Sequence, residues 1–245
     1  LRMNHLHPPF DDVRIRQAVL WLVDQSLYMN AAVGDSRYWQ TCPAIFACGT
    51  PLESDVAAEA LMSQDLDKAR ALIAEAGYDG TPVVILQATD IPINNGAALV
   101  TAQILREIGM NVELQAMDWS TLTSRRAISK PVDEGGWNLF HTWAITGNVM
   151  DPISNAVIGA GCLDRAWFGW PCDAEVERLR DAFAREGDAG ERMRLAEIIQ
   201  ERAFEIVTHA TIGQWRNPVA YRDHLRGLIK APVQLFWNIE SARKR

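Results

Sequence analysis

The stretch from Val83 to Ala116 restricts the fold more than any other part of the sequence. VVILQ at 83–87 is an unbroken apolar run of strand length. Ala97, Val100, Ile104, Leu105 and Ile108 then recur at helical spacing until Gly109. Val112, Leu114 and Ala116 follow, alternating with Glu113 and Gln115. Strand, helix, strand in that order predicts a parallel pair with a right-handed crossover, because a right-twisted strand feeding a helix returns to its sheet in that hand. The class that follows is α/β.

Helical spacing recurs on both sides of this unit. Asp11 and Asp12 are cap candidates for a helix over 11–25 with Ile15, Ala18, Val19, Leu22 and Val23 on one face. Asp65 opens a helix carrying Leu66, Ala69, Ile73 and Ala76, which Gly77 stops. A short helix is expected after Asp118, a buried strand over WNLFHTW at 137–143, and late helices around Val176–Phe183 and Ala196–Val207. Residues 35–54 and the tail from 211 to 240 lack a long period; the tail reads as short strands between Pro and Gly turns.

With 24 Lys+Arg against 31 Asp+Glu, a net charge of −7, the chain has no basic face for a nucleic acid backbone. Its longest apolar runs, such as Ala18 to Val23, are far too short to cross a bilayer. Four cysteines stand as two local pairs, Cys42 with Cys48 and Cys162 with Cys172, at spacings that match neither a zinc site nor a redox CxxC motif. Two disulfide-closed loops in an oxidising compartment are expected, with four reduced thiols as the alternative. The opening LRMNHLHPPF is neither a signal peptide nor the clean start of a fold, and reads as the middle of something longer.

No nucleophile, phosphate-loop, dinucleotide or zinc-protease motif is present, so no catalytic residue, metal site or cofactor is expected. His5 and His7 lack a third ligand at a fixed spacing, and His141 reads as an interior hydrogen-bonded histidine. Nine tryptophans are many for this length, and Trp39, Trp143, Trp167, Trp170 and Trp215 fall in or beside loops. Aromatic side chains with a few placed polar groups line small-molecule pockets, although for each ring taken singly a core or loop-plug role is the favoured reading.

Several ordered segments carry a resemblance. PPFDDVRIRQAVLWLVDQ at 8–25 with Asn4 before it, DLDKARALIAEAGYDG at 65–80, AQILREIGMNVELQAMDWSTL at 102–122 and WNLFHTWAITGNVMDP at 137–152 resemble family 5 extracellular solute-binding proteins. These are the dipeptide-, oligopeptide- and nickel-binding components of ABC importers. The late helices at 172–188 and 194–215 resemble the same family. The resemblance implies a two-lobed, type II periplasmic-binding-protein fold, here the second lobe plus the C-terminal segment of the first. Residues 1–7 would end the hinge strand, 8–205 form the second lobe, and 206–245 return to complete the first lobe. It further implies a periplasmic or exported, lipid-anchored protein, monomeric at full length, that hands a small solute to the membrane permease subunits without a chemical step. The competing expectations are a secreted α/β hydrolase domain and a truncated, non-transporting binding paralogue.

On that pattern the ligand contacts are Tyr38, Trp39, Asp90, Trp143, Thr146, Asn148 and Trp215. Asp90 stands near the place where dipeptide binders carry an Arg for the peptide carboxylate. Asn148 is the nearest equivalent of the Asp that takes the peptide amino group, while Asp151 is placed to cap a helix. These departures imply a solute that is peptide-like, or neutral to cationic and rich in hydroxyls or amines.

Overall fold

The computed structural model describes residues 1–231 and 235–242; residues 232–234 and 243–245 of the tail lie outside them. The elements are β1 (Arg2–Met3), α1 (Val13–Leu22), α2 (Gln25–Ala32), β2 (Trp39–Gln40), α3 (Glu59–Met62), α4 (Leu66–Ala76), β3 (Val83–Ala88), α5 (Pro92–Glu107), β4 (Val112–Met117), α6 (Trp119–Arg125), β5 (Leu139–Phe140), α7 (Thr146–Val149), α8 (Cys162–Arg165), α9 (Ala174–Arg185), α10 (Ala189–Ile206), β6 (Gln214–Trp215), β7 (Leu225–Arg226) and β8 (Glu240–Ser241). Aspartate starts six of the helices. Asp12, Asp24, Asp65, Asp118, Asp173 and Asp188 each accept a backbone N–H of the first turn, a cap worth about 1 kcal/mol. Gly77 ends α4 in the left-handed conformation at φ 72°, where a Cβ would be strained.

A four-stranded sheet in the order β1-β5-β3-β4 holds the centre. β3 runs parallel to β4 from Val83↔Val112 to Ala88↔Met117, with α5 as the crossover. β5 is parallel to β3, and β1 joins the far edge antiparallel to β5. Alternation along β3 separates two cores. Val83 and Ile85 enter a large, mainly aliphatic cluster with Ile15, Val19, Leu105, Phe183 and Ile199. Val84, Leu86 and Ala88 enter a smaller cluster with Leu122, Trp137, Phe140 and Trp170.

Two expectations are corrected. The helix expected over 11–25 is α1 and ends at Leu22, and a second helix that was not expected, α2, follows at once because the Asp24 side chain accepts from Ser26 N and Leu27 N. The strand over 137–143 pairs only at Leu139 and Phe140; after His141 the chain leaves the sheet, and Trp143 is 43% exposed.

Both disulfides are present, Cys42–Cys48 and Cys162–Cys172. The first closes a loop that drives Ile45 and Phe46 into the aliphatic cluster. Gln25 braces it, donating to Cys42 O and accepting from Cys42 N. The second encloses Trp167, Phe168 and Trp170, which pack on the aromatic side.

Candidate functional site

The parallel strands deliver three side chains to one end of the sheet. Asp90 follows β3, Trp119 follows β4 and Trp143 follows β5. Carboxyl ends of parallel strands are where open α/β sheets bind ligands, since the loops there diverge and leave a crevice. Asp90 Oδ1 accepts the Trp119 backbone N–H at 2.8 Å. The Trp119 and Trp143 rings lie 5.2 Å apart and tilted by 32°. Thr146 and Asn148 follow on the short helix α7, with Asn148 exposed. Asp151 does cap a turn, accepting from Ile153 N and Ser154 N. Asp90 also caps, at the start of α6.

Behind this rim stands a wall of rings. Trp137 meets Phe140 edge-on at 4.9 Å, Phe140 lies 5.8 Å from Trp167, and Trp167 lies 5.3 Å from Phe168. Trp137 Nε1 donates to Arg126 O at 3.1 Å, which satisfies the indole of a fully buried ring. The Arg126 guanidinium sits among Phe168, Trp167, Trp119 and Phe140, at 4.9, 5.2, 5.6 and 5.9 Å from the ring centroids. Burial pushes the pKa of Arg126 down from its ordinary value.

The remaining expected contacts lie on another element. Trp39 and Trp215 are direct partners across the antiparallel β2–β6 pair, and Arg216 N donates to Tyr38 O at 2.7 Å. Both tryptophans also pack on the aliphatic cluster, and Trp39 Nε1 donates to Gly34 O at 3.3 Å. The expected residues therefore fall into two groups: Asp90, Trp143, Thr146 and Asn148 at the strand ends, and Tyr38, Trp39 and Trp215 on the β2–β6 ribbon. Sequence reasoning passed over Trp119 and Arg126. The signal for Trp119 was its place directly after the Asp that ends β4.

Of the histidines only His141 is fully buried. His141 Nε2 is 2.9 Å from Thr101 Oγ1, which bonds Tyr28 OH at 2.7 Å, and burial drives the His141 pKa well below the usual value. Burial pushes the pKa of His5 down to about 2, whereas His7 Nε2 donates to Ser129 O at 2.9 Å. The two do not share a site. Among the described residues no helix is long and apolar enough to cross a membrane.

Comparison with known proteins bears on this geometry. The family model for "Bacterial extracellular solute-binding proteins, family 5 Middle" matches residues 1–161. The "Probable peptide ABC transporter periplasmic-binding protein y4tO" of Sinorhizobium fredii is 40% identical over 246 residues, covering 99% of this chain and 46% of that protein. Haemophilus influenzae OppA, solved in complex with RPPGFSPFR, superposes with a TM-score of 0.79 at 17% identity, over 99% of this chain and 48% of its own. AgaA from A. tumefaciens R10, in complex with agropinic acid, gives 0.78 at 22% identity, over 100% of this chain and 50% of its own. The two structures show a shared fold, and the chain spans about half the length of these proteins.

Proposed function

We propose that this chain, which belongs to the bacterial extracellular solute-binding proteins of family 5, supplies one ligand-gripping wall of the periplasmic binding component of an ABC importer. The observation that carries the reading is the rim at the carboxyl ends of β3, β4 and β5, where an exposed Trp143 stacks beside Trp119 and Asp90. Closure of a second lobe over that rim would desolvate the rings around a small solute, and a closed shape of this kind is what the membrane permease subunits would recognise. The family and the similar proteins are binding proteins, and no chemical step is part of the reading.

The proposed solute is peptide-like, as the name of the Sinorhizobium relative suggests, with an amino or hydroxyl group facing Asp90. Trp143, Thr146 and Asn148 are proposed contacts at the rim, and Tyr38, Trp39 and Trp215 contacts on the ribbon. Residues 8–205 are proposed as the second lobe, 1–7 as the hinge strand entering it and 206–245 as the return to the first lobe. Supporting this division, Val219, Tyr221, Ile229, Phe236 and Trp237 are exposed in the tail, Trp237 by 81%, as expected of side chains that another part of the protein covers. Two disulfides support an oxidising, periplasmic setting, and a monomer is proposed for the full-length protein.

Native mass spectrometry of the full-length protein as purified tests the reading. A single small solute released on denaturation is expected. A protein that carries none, and whose tryptophan fluorescence no peptide pool changes saturably, would overturn it.

A further inference from the structure

The two disulfides stand in opposite settings. Cys42 and Cys48 are buried, and the Cys48 backbone N–H points at Cys42 Sγ, 3.1 Å away. Gln25 braces Cys42, and Gln214 braces Cys48, accepting from its N–H and donating to its carbonyl at 3.1 Å each. Cys162 and Cys172 are both exposed. A disulfide is cleaved by a thiolate that must reach one of its sulfurs, so access separates a labile bond from an inert one.

The backbone points the same way. Among the described residues four non-glycines have positive φ. Two of them, Cys162 at 60° and Trp170 at 49°, lie in the loop that Cys162–Cys172 closes. A Cβ crowds that conformation, and a ring as large as tryptophan keeps it only where its surroundings impose it. Between Cys42 and Cys48 no residue has positive φ, and the left-handed position beside that loop is Gly49.

Opening the exposed bond would not dismantle its loop. The middle is clamped from β1 and the residues after it. Arg2 donates to the carbonyls of Trp167 and Phe168, and also to those of Val157 and Thr208, while His5 N donates to Gly169 O at 2.8 Å. The neck is an antiparallel bridge, Gly161↔Cys172, with Cys162 N donating to Pro171 O at 3.1 Å and Asp173 N to Ala160 O at 2.9 Å. Asp173 is tied in turn to Arg202 and to the start of α9. These bonds keep the two sulfurs side by side whether or not they are joined.

We infer that Cys162–Cys172 is a thiol-exchange site, reversibly opened by an external dithiol, while Cys42–Cys48 stays closed. A thiolate of the dithiol attacks one exposed sulfur, and the mixed disulfide forms as the Cys162–Cys172 bond breaks. The second thiol of the reductant then displaces the remaining cysteine. Each cysteine leaves as a thiolate and takes up one of the two protons that the dithiol sheds; the dithiol gives up two electrons and departs as a disulfide. The consequence is mechanical. With the neck unlinked, Cys162 and Trp170 are free to leave the left-handed conformation, and Trp170 packs on Trp137 with ring centroids 5.8 Å apart. Exchange therefore loosens the ring wall behind the rim, whatever solute the rim holds.

The test uses the full-length protein in mixtures of reduced and oxidised dithiothreitol, with free thiols trapped by alkylation and located by peptide mapping. Cys162–Cys172 should be half-reduced at a ratio of reduced to oxidised reagent at least about tenfold lower than Cys42–Cys48 requires. At that ratio hydrogen exchange should quicken at Cys162, Ala166 and Trp170, whose amides bond within the loop, and stay slow at His5 and Ala210. Transfer to the oxidised reagent should restore the same pair. Opening of Cys42–Cys48 first or at the same ratio would overturn the inference, as would two bonds that both resist the reduced reagent alone. So would unchanged exchange in the loop after reduction, exchange at His5 that rises as much as at Cys162, or cysteines that re-pair differently.

Discussion

On the side of β3 that carries Val83 and Ile85, helices α1, α4, α5, α9 and α10 supply an aliphatic core that leaves Ala69, Phe183 and Ile199 with no exposure. On the side that carries Val84, Leu86 and Ala88 the covering is aromatic and incomplete, and it ends in Trp143 and in the unpaired Arg126. The two sides draw on the same strands and differ in how far burial is carried. Where it is complete, the free energy of removing apolar surface from water is already spent on folding. Where it stops short, rings and a charge keep surface that, on the proposed reading, a solute would desolvate. The disulfides follow the same division. Cys42–Cys48 plugs the closed side with Ile45 and Phe46, and Cys162–Cys172 holds the loop whose Trp167 and Phe168 frame Arg126.

Truncating the closed side should give the largest loss of stability. Phe183→Ala removes a ring with no exposure and is expected to cost about 3–5 kcal/mol in urea unfolding, with solute affinity of the folded fraction unchanged. A coupled loss of affinity would break the division. Next in size is the Cys42→Ser/Cys48→Ser double variant, expected to lower stability by about 2–3 kcal/mol under non-reducing conditions. The matching Cys162→Ser/Cys172→Ser variant sharpens the comparison, because it should weaken solute binding more than the first pair does. Peptide mapping without reductant checks that all four thiols are oxidised in the parent.

His141 gives the closed side an acid limit. Its folded pKa is depressed by burial, so the unfolded chain binds the proton first as pH falls. The stability from keeping it neutral is present above the unfolded pKa near 6.5 and is lost progressively as the pH falls below it. Denaturant midpoints at pH 7, 6 and 5 check this, and His141→Gln should flatten the slope. The smallest effect on stability belongs to the open side. Trp143→Ala should change stability by no more than about 0.5 kcal/mol while lowering solute affinity by about tenfold or more.

Much of this frame was legible in the sequence because local chemistry governs it. Asp65 with Gly77, and Asp118 before Trp119, mark their helices without help from the rest of the chain. The 83–116 unit declared its parallel pairing for the same reason. Asp24 was missed because α1 and α2 follow one another with no Pro or Gly between them, and only the bonds from Asp24 to Ser26 N and Leu27 N reveal the break. The WNLFHTW run misled because apolar residues serve two ends there. Leu139 and Phe140 pair, whereas Trp143 points to the rim with the same hydropathy. Asp90 was visible as an unusual charge, but its bond to Trp119 N crosses 29 residues and belongs to no local pattern. Arg126 escaped for a deeper reason: what distinguishes it is the lack of a partner, and a sequence does not show partners.

Arg2 has a consequence for how the molecule is made. Its side chain takes carbonyls 155 to 206 residues further along, and Ala210 N donates to Leu1 O. The edge strand that Arg2 belongs to therefore cannot be finished while those partners are still on the ribosome. Contacts of such separation delay folding, since loop closure must precede the contacts that reward it. The sheet edge therefore closes only once residues 157 to 210 are available to it, whereas the β3–α5–β4 unit can form from local contacts.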